Sequence, residues 1–410
     1  MENWKSVTIG EIAKLNTTSY SEKEKWEYVN YLDTGSIVEN KISSIQYFDT
    51  RNDNVPSRAK RKVRKNSIVY STVRPNQLHY GIIKEMPENF LVSTGFTVID
   101  VDETVADADF VYYSLTCDNV TDRLMTIANN STSSYPSITP DDIAKTQIKL
   151  PSITTQKKIA SLLSLLDRKI AENDKINDNL EQQAQMLYEY WFVQFDFPDK
   201  DGKPYKKSGN QMAYNRILKM DIPLGWTVGT LSDIANITMG QSPEGESYNE
   251  DGNGIEFFQG STDFGIFFPT TRVYTTNPKR MSKENDILLS VRAPVGTMNI
   301  AYQDCCIGRG LASIQGKTNN TSFVRHLLKS NKKFFDRINN AGTTFGAITK
   351  DILYEMPVII PPAKVMMEYE NLVSKSEATI RSSENEIRQL THIRDYLLPL
   401  LLNGQLSMDI

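Results

Sequence analysis

Two stretches decide how this chain is read: "NSIVYSTVRPNQ", Asn66 to Gln77, and "NDILLSVRAPVG", Asn285 to Gly296. Each opens on Asn and runs through an aliphatic, strand-like segment to a serine (Ser71, Ser290). Each then continues through Val-Arg to a proline four residues beyond the serine. The serines lie 219 positions apart in a chain of 410 residues, so one element is written twice. The likeness extends outward in both directions. "WKSVTIGEIAKL" from Trp4 matches "WTVGTLSDIANI" from Trp226 at an offset of 222, and "SSYPSITPDDIAKTQIKLP", ending at Pro151, matches "TTFGAITKDILYEMPVIIP", ending at Pro361, at an offset of 210. Self-similarity at one long period marks a tandem repeat. The shrinking offset places short deletions in the loops of the second copy. Each copy reads as short alternating strands broken by Gly, Pro and Asn turns, with a few helical pieces. That predicts an α+β, strand-rich domain of ~150 residues, present twice.

A long helix is predicted after each copy. From Thr154 to Trp191 there is no Pro or Gly, and apolar residues recur at alternating steps of four and three. The seam reads Ile159, Leu163, Leu166, Ile170, Asn173, Asn177, Leu180, Ala184, Leu187, Trp191. Shifted by 210 it reads Tyr369, Val373, Ser376, Ile380, Ser383, Ile387, Leu390, Arg394, Leu397. A 3.5-residue spacing held over several heptads is a coiled-coil pattern, and polar groups in mid-seam tend to fix register. The two helices are expected to pair antiparallel, each spanning roughly 55 Å at 1.5 Å per residue, with the domains related by a pseudo-two-fold axis. The alternative is two amphipathic helices, each packed on its own domain. Expected boundaries are 1–150 for the first domain, 151–194 for its helix, 195–220 for a linker rich in Asp, Gly, Pro and Lys, 221–360 for the second domain and 361–410 for the second helix and tail.

Composition is that of a globular protein, at 39% hydrophobic and 23% charged residues. No apolar run reaches membrane-span length, the start lacks the features of a signal peptide, and three cysteines (Cys117, Cys305, Cys306) offer no disulfide framework. A cytoplasmic setting is expected. Net charge is −4, which alone argues against a nucleic-acid partner, but the charge is segregated. Arg51 to Lys84 holds nine Lys or Arg and one acid, Asp53, a local balance of 9 − 1 = +8. A second basic excess runs from Arg309 to Arg337, and acids gather in "DVDETVADAD", Asp100 to Asp109. A basic concentration of this kind is the electrostatic footprint of a duplex. The alternative is that it meets the acidic run inside the same domain.

No catalytic constellation emerges. Three histidines (His79, His326, His392) and cysteines without ligand spacing do not build a zinc site. "GQSPEGES" from Gly240 resembles a phosphate loop, but Glu246 stands where Lys is required. "PDKDGK" from Pro198 crowds nuclease-like residues into one turn-forming segment, and no glycine-rich loop follows a parallel strand. Binding remains. Basic residues interleaved with hydroxyl and amide side chains suit phosphate positioning and base-edge readout. In the first copy the DNA-binding candidates are Arg58, Lys60, Arg61, Lys62, Arg64, Lys65, Ser71, Arg74, Asn76 and Gln77, with Ser133, Ser134 and Tyr135 of a loop. In the second they are Arg272, Lys279, Arg280, Ser290 and Arg292, with Thr343 and Thr344 of the matching loop. Arg74 follows its serine by three and Arg292 by two, so the two arginines need not do the same job.

Six segments in this order carry a resemblance: "SIVYSTVRPN" at Ser67, "LPSITTQKKIASLLSLLDRKI" at Leu150, "WFVQFDFPDKDGKPYKKSGNQM" at Trp191, "DIPLGWTVGTL" at Asp221, "NDILLSVRAPVGT" at Asn285 and "RDYLLPLLLNGQL" at Arg394. Over essentially its whole length the chain resembles the specificity subunit of a type I restriction-modification enzyme. The resemblance implies two target recognition domains, each reading one half of a split sequence in double-stranded DNA. They would be separated by two antiparallel helices that also dock two modification (methyltransferase) subunits, with restriction (nuclease-translocase) subunits around them. S-adenosylmethionine, ATP and magnesium would then belong to partners, no catalytic residue or metal would lie in this chain, and no membrane would be involved. One departure stands at the helix starts, where "KKIA" at Lys157 faces "MMEYE" at Met366. The competing reading is an assembly scaffold that uses the paired helices and reads no DNA.

Overall fold

The protein is described by a computed structural model covering residues 4–131, 135–340 and 346–406. It divides into two compact units, Met1–Asn173 with Asn385–Ile410, and Asp174–Glu384.

The quoted stretches form the same strand in each unit. Ile68–Ser71 and Ile287–Ser290 are buried at every position, as expected of a strand covered on both faces. In the first unit the sheet order is Ala13–Leu15, Phe96–Val101, Ile68–Ser71, Tyr80–Ile82, all antiparallel. In the second it is Ala235–Met239, Leu311–Gly316, Ile287–Ser290, Met298–Ile300, again all antiparallel. The leading asparagines explain themselves, since Asn66 and Asn285 both adopt φ 68°, a left-handed conformation that Asn tolerates better than most residues.

A second sheet in each unit contains a central parallel pair. Tyr28–Leu32 runs beside Phe90–Ser93, flanked by Gln46–Asp49 and the basic strand Ala59–Lys62. Ile255–Phe258 runs beside Cys305–Ile307, with Met281–Ser282 in the place of the basic strand. Each copy closes on itself. Its first strand pairs with the strand just before its long helix, Lys5–Thr8 with Gln147–Leu150 and Thr227–Thr230 with Pro357–Ile360.

The long helices are Ile153–Tyr188, continued by one π-helical turn at Glu189–Val193, and Ala363–Leu402. In the first unit Arg394 reaches Asp167 at 2.9 Å, and Asn173 Nδ2 donates to Glu386 at 2.9 Å, an antiparallel register. In the second unit the Tyr369 hydroxyl lies 3.1 Å from the Ala184 carbonyl, in the same sense. Ile159, Leu163, Ile170, Val373 and Ile380 are buried, while Leu166, Leu180, Leu187, Ile387, Leu390 and Leu397 are half-buried. The seam is therefore more than a two-helix contact. Ile159 and Leu163 join the core of the first copy with Phe110 and Ile148. Ala184, Tyr369 and Val373 join that of the second with Phe323 and Trp226, and Ile380 packs with Phe267 and Phe268. Each helix thus pairs with the other and also joins both domain cores, the first helix through Ile159 and Ala184, the second through Tyr369 and Leu401. The segment expected as a linker does turn, with the Asp199 carboxylate accepting the amides of Asp201 and Lys203. It is also anchored, because Phe195 and Phe197 are buried against Trp226.

Candidate nucleic-acid interface

The basic segment divides into two kinds of cation. Arg51 pairs with Glu27 and Lys62 with Glu24, Lys62 also lying over the Trp26 ring at 5.1 Å. Arg64 pairs with Asp100 and donates to the Val101 carbonyl, and Lys84 pairs with Asp109. The acidic run thus does meet part of the basic segment inside the same domain. Arg58, Lys60 and Lys65 are exposed and Arg61 half-buried, and among the described residues none of the four has an ion pair. In the second copy Arg272 pairs with Asp263 and Lys279 with Glu244 at 3.6 Å, leaving Arg280 and Arg292 exposed. Strand register equates the basic residues of the two copies. Arg61 lies opposite Val92, and the Arg280 carbonyl accepts the amide of Ile307 from the strand that replaces Phe90–Ser93.

Ser71 and Ser290 need correction as DNA contacts. They are 3% and 2% exposed. Ser71 Oγ donates to the Val73 carbonyl and Ser290 Oγ to that of Arg292, at 3.1 and 2.8 Å. These hydroxyls close the turn after the strand and face inward. The turn then pairs with the loop of the matching repeat segment, Val73 with Ser137 and Arg292 with Ala347. Arg292 is therefore the structural counterpart of Val73. Arg74 stands one residue further on, exposed, with its guanidinium 5.0 Å from the ring centroid of Tyr135. Asn76 and Gln77 follow it, exposed on a short 3-10 turn. Ser133, Ser134, Thr343 and Thr344 lie outside the described residues.

The second basic excess is largely internal. Arg325 is 4% exposed and bridges Glu181 of the first long helix and Glu377 of the second, at 2.6 and 2.8 Å. Lys329 adds a 2.5 Å contact to Glu181, and His326 Nε2 lies 3.4 Å from the same carboxylate. Burial opposes ionisation of Glu181, but Arg325, His326 and Lys329 outweigh it and hold the carboxyl below the ordinary range. Burial, then Arg325, pushes His326 down, so it stays neutral near pH 7. One exposed group had no signal in charge. Tyr47, 63% exposed on an outer strand, stacks on Tyr28 with centroids 5.5 Å apart. Only the adjacent aromatics of "QYFD" could have drawn attention to it. Among the described residues no three His, Cys, Asp or Glu side chains gather as metal ligands, and no helix is long and apolar enough to cross a membrane.

Comparison with known proteins agrees with this architecture. Residues 1–182 and 223–391 match the family model described as type I restriction modification DNA specificity domain. The chain is 25% identical over 464 residues to the type I restriction enzyme HindI specificity subunit of Haemophilus influenzae, across 99% of this chain and 100% of that protein. It is 32% identical over 276 residues to the putative type I restriction enzyme MjaX specificity subunit of Methanocaldococcus jannaschii, across 66% of this chain and 62% of the other. The crystal structure of a type I restriction-modification system S subunit from M. genitalium superposes with a TM-score of 0.57 at 18% identity, over 98% of this chain and 96% of that one, a likeness of fold. With two matching domains in tandem, each followed by a long helix, the chain belongs to the type I restriction-modification specificity-subunit family.

Proposed function

We propose that this chain reads DNA for a type I restriction-modification complex, each of its two domains recognising one half of a bipartite target, and that it carries no catalysis itself. On this reading the helix pair sets the gap between half-sites and docks two modification subunits, restriction subunits assemble on that complex, and S-adenosylmethionine, ATP and magnesium are held by those partners in the cytoplasm. The observation that carries the reading is the duplicated sheet order, which supplies two like surfaces, each with exposed cations beside its central parallel pair. Phosphate neutralisation needs cations that protein acids have not already met. Arg58, Lys60 and Lys65 qualify where Lys62 and Arg64 do not.

The test uses the chain assembled with its modification subunits. Changing Arg58, Lys60 and Lys65 to Gln should weaken binding to every DNA sequence alike. It should also flatten the dependence of log K on log salt by roughly 0.9 per lost contact. An altered sequence preference with an unchanged slope would make these residues base readers. Binding indifferent to DNA sequence in an intact complex would leave only the scaffold reading. Methyl transfer by the purified chain alone would overturn its non-catalytic role.

A further inference from the structure

The turn after the first copy's buried strand is built at a cost. Arg74 (φ 49°, ψ 71°) and Leu78 (φ 56°, ψ 31°) are both left-handed without being glycine, framing Pro75–Gln77. Each such residue costs about 1 kcal/mol, and such costs persist where the surroundings over-determine the backbone. Here they do. Pro75 is buried, the turn packs on the helix Asp118–Asn129, and the Arg74 amide donates to the Pro136 carbonyl at 2.9 Å. Val73 pairs with Ser137, and the Ile138 amide donates to the Thr72 carbonyl at 2.9 Å. Two loops from distant parts of the repeat are thereby locked together under one side chain.

That side chain rests against an aromatic ring. Its guanidinium sits over the Tyr135 ring, which is 59% exposed, and among the described residues no carboxylate pairs with it. A phosphate contact needs only a positive charge, and a mobile Lys or Arg supplies that. A guanidinium whose position is restricted suits bidentate donation to the O6 and N7 of guanine, the commonest specific contact in the major groove. A cation–π contact with an aromatic ring removes part of the freedom that would otherwise be lost on binding. We infer that Arg74, oriented by Tyr135, reads a guanine in the half-site recognised by the first domain, the inference resting on the DNA-reading function proposed above. The second copy lacks the device, because Arg292 occupies the place of Val73 and Ala293 the place of Arg74.

The experiment assembles full-length Arg74→Gln, Arg74→Lys and Tyr135→Ala chains with the modification subunits. Each complex is scored for binding to DNA libraries randomised through both half-sites, and for the adenines it methylates. The expected result for Arg74→Gln is a roughly 10- to 100-fold loss of preference at one G·C pair of one half-site, with the other half-site unchanged. Arg74→Lys should recover part of it, and Tyr135→Ala should weaken the same position and no other. A uniform loss at all positions would make Arg74 a phosphate contact, and a loss confined to an A·T pair would deny the guanine; either overturns the inference. So does an unchanged motif in complexes that still bind selectively. A wild-type complex with no sequence preference would instead remove the function proposed above.

Discussion

Glu370 shows how a single residue ties a domain to its helix. The helix Thr321–Ser330 receives no side-chain cap from its own N-cap, Asn320, whereas its counterpart Ala108–Thr116 is capped by Asp107 at 3.0 Å. The missing acceptor comes from the second long helix, where Glu370 Oε1 accepts the Phe323 amide at 2.7 Å. Burial raises that carboxyl from 4.5 to about 7, against the pull of the Phe323 amide. A folded-state value above the unfolded one means the native state holds the proton longer, so stability falls as pH rises between about 4.5 and 7. His326 slopes the other way: its lowered value gives stability that is present above 6.5 and lost on acidification. The Gln substitution isolates the first effect. Glu370→Gln should gain on wild type between pH 5 and pH 8, in chemical denaturation at each pH. The gain should reach roughly 3 kcal/mol, since a tenfold change in proton affinity is worth about 1.4 kcal/mol. A difference that stays flat with pH would mean that Glu370 is ionised throughout. None of this was legible in the sequence. Arg325 read as one cation in a basic excess, because its acidic partners lie 144 and 52 positions away.

The strands and the two long helices were legible because periodicity and turn residues are local. What a helix packs against is set by tertiary neighbours. The seam predicted from Ile159 onward is thus shared between partner helix and domain cores. Its polar middle has uneven chemistry. Asn173 donates to Glu386, but among the described residues the buried Asn177 Oδ1 has no hydrogen-bond partner. A buried, unsatisfied carbonyl costs on the order of 1–3 kcal/mol. Asn177→Leu should therefore raise the unfolding midpoint by a few degrees, about 1 kcal/mol after some misfit of the larger side chain is allowed for. Polar seam groups can also fix register, so the Asn173–Glu386 bond should be what still holds alignment in that variant. Replacing Asn173 as well should then broaden the transition. A lower midpoint for Asn177→Leu alone would show that Asn177 makes a stabilising polar contact.

At the scale of the whole chain, the repeat was readable from offsets in the sequence, while net charge concealed the cations that matter. Candidate base readers were readable only as residue types. The inward serines depend on the burial of their strands, and the Arg74 turn and the salt-bridged Arg64 and Lys84 on contacts between segments far apart in the chain. The proposed ruler role of the helices makes the strictest demand on the molecule as a whole. Unit boundaries fall within both helices, at Asn173/Asp174 and Glu384/Asn385. Seven residues added at each boundary lengthen both helices by about 10 Å at 1.5 Å per residue. At 3.4 Å per base pair that is roughly three more base pairs between half-sites. Seven residues keep a 3.5-residue seam in phase, so pairing should survive; four should misalign it and lower the unfolding midpoint. The measurement is the methylated motif of each insertion variant in a complete modification complex. Half-sites that keep their spacing while the seven-residue variant still methylates would mean that something other than helix length sets the gap. Loss of activity in the four-residue variant alone, with a widened motif in the other, is the pattern a ruler requires.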